Sequence, residues 1–222
     1  VMLSGGLDSS SIAALVKTTR SDADFHTFSI GFDDPSFDES AHATTMADHL
    51  GTHHHHVTVT ADDIGSLLPR YLGSIHEPFA DGSAMPTALL SRAAKQHVTV
   101  LLSGEGGDEM FTGYDTHAAS VARRWYRRIP RWMRQYLVSP TVRQLPVSHS
   151  KLSFDFKAKR FAHGAEFGAA HSHYAWREVL NEDQKESLLT FQAEDLHLKP
   201  SHQFFVDAWE SCESKHELHA ML

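Results

Sequence analysis

Apolar residues in the first half of the chain recur in two alternating rhythms. Val1 to Leu3 is a short β-forming run that meets a Ser-Gly-Gly turn at once. Ile12, Leu15 and Val16 follow at helical spacing and predict a helix over 9–19. "FHTFSIGF" at 25–32 reads as a second strand. Ala43, Met46, Ala47 and Leu50 then fall at i, i+3, i+4 and i+7, with Gly51 as the stop. "HHVTVT" at 55–60 reads as a third strand. Ile64, Leu67, Leu68, Tyr71 and Ile75 predict another helix, which Pro69 should kink or split. Ser83 is placed to cap the next helix, with Pro86 tolerated in its first turn. "VTVLLSG" at 98–104 reads as the fourth strand. Strands joined by helical crossovers predict an α/β fold with a doubly wound parallel sheet.

Beyond Gly113 the strand signal fades. Short aromatic-rich helical segments take over, interrupted by Pro130, Pro140 and Pro146, and Phe205, Ala208, Trp209 and Cys212 share one helical face near the end. The expected organisation is an α/β core over 1–113 and a helical region over 114–222. No apolar run reaches the length of a membrane span. The single cysteine, Cys212, excludes a disulfide within these residues and fits a reducing, cytoplasmic setting. A net charge of −8 argues against nucleic acid as the main partner. A homodimer is compatible with these features and not required by them.

The first turn carries the most specific chemistry. A strand ending in Ser4-Gly5-Gly6-Leu7-Asp8-Ser9 and opening a helix surrounds a small concavity with backbone N–H groups, which suits an anion. No lysine follows the last glycine, so this is not a P-loop. Asp8 would repel a phosphate unless a cation lay between them, so the loop makes most sense with a Mg²⁺-bound polyphosphate. The plainer alternative is a tight turn with Asp8 or Ser9 as N-cap. "LLSGEGGDE" at 101–109 repeats the same grammar after the fourth strand. In a sheet ordered 3-2-1-4, the first and fourth strands flank the switch point, and both Ser-Gly loops open into one crevice. Asp8 and Asp108 would then face each other as Mg²⁺ ligands.

"SGGLDSS", followed in order by "SFDESAHA", "HLGTHHH", "HEPFAD", "MPTALLSR" and "SGEGGDEMFTGY", resembles the synthetase domain of glutamine-dependent asparagine synthetases. These belong to the ATP pyrophosphatases with an SGGxDS loop (the PP-loop class, with an adenine nucleotide alpha hydrolase-like fold). The resemblance is close over 1–114 and looser over 115–222. It implies a ligase that adenylates a carboxylate, in these enzymes the aspartate side chain, with release of pyrophosphate. Ammonia then displaces AMP to give the amide. By resemblance, Ser4, Gly5, Gly6, Asp8 and Ser9 bind the pyrophosphate of ATP, and Asp8 and Asp108 hold Mg²⁺. Leu3 and Ile30 contact the adenosine largely through backbone groups, and Ser103 and Gly104 line the nucleotide. Glu105 orients or deprotonates the incoming amine; an N-cap or turn carboxylate is its plainer reading. A β-lactam-forming or other amidotransferase relative with a different substrate, and a nucleotide-binding piece without turnover, are the competing readings.

Two departures qualify the resemblance. Such synthetases carry an N-terminal glutaminase whose first residue is a nucleophilic cysteine, the source of the ammonia, and none is present here. They also place a phosphate-neutralising lysine downstream, which "LHLKPS" with Lys199 does not match. The expectation is a fragment truncated at both ends. Two further features invite chemistry. The run His53–His56 suggests a metal, but strand alternation puts only two of the four on each side, and a zinc site would need a third ligand from elsewhere. The expected role is structural. Residues 123–143 are rich in arginine, with Trp125, Tyr126, Trp132 and Tyr136 interleaved. A solvated or interdomain basic helical face is expected, in preference to an RNA-binding patch.

Overall fold

The computed structural model describes residues 1–20, 24–77, 81–148, 153–189 and 199–212. The chain divides into two compact units, Val1–Gly107 and Asp108–Leu222.

The first unit is built on strands β1 (His26–Phe32) and β2 (His53–Val59), paired in parallel with His26 opposite His53 and Phe32 opposite Val59. On the other side of β1, Val1–Leu3 forms a single parallel bridge, Met2 to Phe28. Phe28 N–H donates to the Val1 carbonyl (2.9 Å) and Leu3 N–H to that of Phe28 (2.7 Å). Met2 N–H turns the opposite way and donates to the Leu102 carbonyl at 2.8 Å. The backbone order across this layer is therefore β2, β1, 1–3, 98–104. Among the described residues only β1 and β2 are regular strands, so a small parallel sheet stands where a four-stranded doubly wound one was expected. The Ser-Gly-Gly turn leaves 1–3 too short for more than one bridge. The 98–104 segment pairs on one side only among the described residues, and Val100 and Leu102 are exposed rather than sandwiched.

Helices cover both faces. α1 (Leu7–Thr19) and α2 (Ser40–Leu50) pack on one, where Val1, Leu3, Phe25, Ala13, Ala43 and Ala47 are buried together. Leu15, expected on that face, is exposed, and Ala13 takes its place beside Ile12 and Val16. Gly51 ends α2 in the left-handed conformation, φ 61°, which costs a glycine little. α3 (Ala61–Ser74) packs against α4 (Ala84–Ala94), which covers the other face through Leu90 and Ala94 on Phe28, with Met2, Ile30 and Val57 around them. A capping box between Thr60 and Asp63 starts α3, which runs unbroken through Pro69. Ser83 precedes α4 but makes no side-chain cap; its N–H and hydroxyl donate instead to Asp81.

The second unit is helical: α5 (Gly107–Phe111) at the junction, α6 (Asp115–Tyr126), α7 (Arg131–Met133), a π-helical turn (Arg134–Val138), α8 (Ser139–Arg143), α9 (Phe154–Gly164), α10 (Ala169–Ala175), α11 (Glu182–Leu188) and α12 (Ser201–Glu210). Tyr126, Ala165 and Trp176 form its core, with Phe161 between the two aromatic rings. The arginine-rich segment meets the expectation in part. Arg124, Arg127, Arg128, Arg131 and Arg143 are exposed, whereas Arg123 and Arg134 are buried near the end of α9. Arg123 donates to the Phe167 carbonyl (2.7 Å), and Arg127 to those of Glu166 (2.9 Å) and Phe167 (3.0 Å). Arg134 pairs with Glu166 at 2.6 Å and donates to the Ile129 carbonyl. Orphan carbonyls at a helix C-terminus attract cations, and these arginines satisfy them. On α12, Phe205 and Trp209 are half-buried as expected, whereas Ala208 and Cys212 are exposed.

Two stability outcomes follow. Every tryptophan lies in the second unit, so tryptophan fluorescence, excited selectively over Tyr71 of the first, follows its unfolding. Arg134→Met should destabilise it by about 2 kcal/mol, the worth of hydrogen bonds to a charged group. Lys157→Met, which removes an exposed pair with Asp115, should cost less than about 1 kcal/mol. Equal effects in urea titrations would contradict the inward role of Arg134. His173 is buried against His117 and Phe205. Burial first, then the neighbouring His117 and Arg177, push its pKa down to about 4. Between that value and the ordinary 6.5 the unfolded chain binds the extra proton, so stability falls as pH falls through this window. Replacing it, His173→Gln, should remove up to about 1.4 kcal/mol per pH unit from the slope. An unchanged slope would refute this.

Candidate active site

The first turn is held by its own small residues. Ser4 N–H donates to Ser9 Oγ (3.2 Å), the two hydroxyls meet at 3.0 Å, and Gly6 N–H donates to Ser4 Oγ (3.2 Å). Ser9 Oγ closes the ring by donating to the Gly6 carbonyl. Gly5 has φ +78°, and a Cβ there would lie 2.5 Å from the His42 backbone at the start of α2. Only glycine fits both constraints. α1 starts from Gly6 with no side-chain cap, so its first amides keep their donor capacity.

The second Ser-Gly loop lies directly on this turn. A Cβ on Gly104 would fall 2.7 Å from Ser9 N, and one on Gly107 would fall 2.7 Å from both Asp8 carboxylate oxygens. Gly106 has φ +90°. The segment from Ser103 to Gly107 therefore folds over the first turn of α1 at main-chain contact distance. Ser4, Gly6 and Glu105 are exposed at the surface, and Gly5, Asp8, Ser103 and Gly104 are half-buried. Glu105 N–H donates to Ser103 Oγ at 3.4 Å, and the residue is exposed to solvent. Gly107 had no role in the sequence reading, although the doubled glycine before Asp108 signals such an approach.

Leu3 is buried beneath the turn, and Ile30 lies on β1 opposite Val57 with its side chain in the α4 cluster. Both side chains serve the core, leaving the backbone as the part available to a ligand. At the same end of β1, a Cβ on Gly31 would meet the His56 ring at 2.5 Å and the Asp38 carboxylate at 3.2 Å. Asp38 accepts from Ser40 N–H and hydroxyl, which hold its carboxyl below the usual range and fix the entry to α2. Asp81 is a loop cap for Ser83, and Glu77 is exposed. Residues 78–80 of "HEPFAD" and the terminal "HELHAML" lie outside the described residues.

In the second unit, Asp108 sits in the first turn of α5 with its carboxylate against Gly113, whose N–H donates to the Asp108 carbonyl at 3.0 Å. Thr112 between them has φ 57°, a strained value for a β-branched residue. Glu109 accepts from the Tyr114 hydroxyl, which lowers its pKa, and the Arg177 guanidinium stacks on the Tyr114 ring at 4.2 Å. A groove of about 450 Å³ elsewhere in this unit, lined by Ala119, Phe156, Arg160 and Trp176 among others, contains none of the expected site residues. Among the described residues, no helix is long and apolar enough to cross a membrane.

Comparison with known proteins identifies the family. A Methanocaldococcus jannaschii protein provisionally named asparagine synthetase (glutamine-hydrolysing) 2 is 39% identical over 132 residues, covering 60% of this chain and 25% of its own length. Asparagine synthetase (glutamine-hydrolysing) 1 of Bacillus subtilis is 35% identical over 140 residues, covering 61% of this chain and 21% of its own. A Penicillium rubens protein named amidase chyE is 31% identical over 135 residues, 54% of this chain and 20% of its own. The chain thus spans a quarter or less of the length of these relatives. The profile of the family described as asparagine synthase matches residues 1–222, and the chain belongs to that family.

Proposed function

We propose that this chain is the nucleotide-binding part of an ATP-dependent, amide-forming ligase. The observation that carries the reading is the main-chain contact between the 103–107 loop and the first turn of α1. Glycine at 104 and 107 is what allows so close an approach, and it brings the two Ser-Gly loops together beside a helix start that has no side-chain cap, a setting that suits an anion. In this reading Ser4, Gly5, Gly6, Asp8 and Ser9 take the pyrophosphate of ATP, Ser103 and Gly104 line the nucleotide, and the Leu3 and Ile30 backbone meets the adenosine. Holding the β- and γ-phosphates as the leaving group suits attack at the α-phosphate by a carboxylate, and the family points to aspartate.

The donor set fits Mg²⁺, a hard cation that prefers carboxylate and phosphate oxygens. Asp8 would be one ligand. Asp108, the residue that follows Gly107 in the chain, would be the other. When bound, Mg²⁺ neutralises phosphate charge. The chain's own work is to orient the polyphosphate through backbone N–H groups and hydroxyls, with the exposed Glu105 carboxylate positioned to accept a proton from the attacking ammonia. Ammonia would come from a glutaminase domain elsewhere in the parent protein, and the reaction would yield an amide, AMP and pyrophosphate. The relative named as an amidase favours a second reading, in which the same loops serve a different acyl substrate.

Calorimetry should show binding of Mg·ATP and Mg·pyrophosphate that a chelator abolishes. Asp8→Ala should weaken both at least about tenfold, or about 1.4 kcal/mol. Equal affinity of the wild type and a Gly6→Val/Asp8→Ala double variant would overturn the reading. Asp108→Ala should weaken Mg·ATP similarly, and once one carboxylate is gone, losing the other should cost little more. Strict additivity of the two would remove Asp108 from the site.

A further inference from the structure

The structure supplies the third ligand that the histidine run lacks. We propose a Zn²⁺-type divalent metal site formed by His26, His55 and His97, at the edge of the sheet opposite the Ser-Gly loops. Their ligand nitrogens all lie within 4.8 Å of one another. The three come from separate elements: His26 opens β1, His55 lies on β2, and His97 sits in the turn after α4, pinned by its N–H to the Ala94 carbonyl at 2.9 Å.

Strand parity divides the run into two chemically different pairs. His54 and His56 point to the α1–α2 face, where buried hydroxyls engage them. His54 Nδ1 meets Thr27 Oγ1 (2.9 Å), His54 Nε2 meets Ser29 Oγ (3.0 Å), and His56 Nδ1 meets Ser29 Oγ (3.1 Å). Those two are structural, as the alternation argument expects. His55 points to the α4 face and, among the described residues, its ring meets other imidazoles and Phe28. His26 Nδ1 faces His55 Nε2 at 2.9 Å, and the His55 and His97 rings lie 4.1 Å apart.

Two facing ring nitrogens can share only one proton, so at least one presents a lone pair to the other. The outer side of His26 decides which. Its Nε2 lies 3.2 Å from Asp24, whose other oxygen reaches His53 Nε2 at 3.2 Å. A carboxylate there keeps the proton on Nε2 and leaves Nδ1 free to ligate, the arrangement that orients metal-bound histidines. A tetrahedral ion with Zn–N bonds of about 2.0–2.1 Å needs nitrogens about 3.3 Å apart, between the two limits observed. The exposed side of His97 leaves the fourth position to water.

The site would tie β1, β2 and the end of α4 together and does not depend on the nucleotide reading. The test strips the protein with a chelator and titrates Zn²⁺ by calorimetry and Co²⁺ by absorbance. The wild type and His49→Ala, a control outside the cluster, should each bind one equivalent tightly. His97→Ala, an exposed substitution, and His55→Gln should each weaken that site at least tenfold. X-ray absorption of the loaded protein should count three imidazole nitrogens. Unchanged affinity in both variants, absence of a stoichiometric site in the wild type, or fewer than three nitrogens would overturn the proposal.

Discussion

Parallel pairing of β1 with β2, in the register that sets His26 opposite His53, is the constraint on which the first unit depends. Period-two alternation then assigns every neighbour. Thr27 and Ser29 go to the α1–α2 face with His54 and His56, while Phe28 and Ile30 go to the α4 face with His55 and Val57. A slip of β1 by one residue would turn Phe28, which has no exposed surface here, to the α1–α2 face and put Thr27 and Ser29 among the apolar residues under α4. Parallel direction matters equally. It brings the carboxyl ends of 1–3 and β1 to one edge of the layer, where the Ser-Gly-Gly turn and Gly31 lie. The amino ends, with His26 and His53, fall at the other.

What the sequence made legible was local. Helix periodicity, the glycine stop at Gly51 and the strand at 26–32 all depend on residues within a few positions of each other, and the structure keeps them. The Ser-Gly loops were legible for a different reason: their glycines mark backbone that another segment must approach, even before that segment is known. Gly104 against Ser9 and Gly107 against Asp8 are such approaches. The family resemblance named the same loops from their order and spacing, and the match over the whole chain agrees with it.

The rest depended on partners distant in sequence. Leu15 has helical spacing with Ile12, but which face meets the sheet is settled by α2, and that choice buries Ala13 instead. The 98–104 run has strand composition, yet a strand also needs neighbours, and here it has one bond to Met2. Arginine spacing suggested a solvated face throughout because composition cannot show that the Glu166 and Phe167 carbonyls receive Arg123 and Arg127 just past the end of α9, and the Glu166 carboxylate receives Arg134. His97 was invisible as a ligand for the same reason. Nothing near it in sequence bears on His26.

The two edges of the layer have opposite chemistry because they have different backbone supply. Strand ends that open helices expose N–H donors, and the glycines around Ser4 and Ser103 keep side chains out of the way, so that edge favours anions. Strand starts offer no such amides, and here the edge is filled by imidazoles with Asp24 behind them, which favours a cation. In the proposed function a phosphate ligand at the first edge would have to arrive and leave, and the exposure of Ser4, Gly6 and Glu105 suits that. A metal joining three elements at the second would instead oppose relative movement of β1, β2 and α4. Rigidity at the amino edge would then preserve the register that holds the carboxyl-edge loops at contact distance.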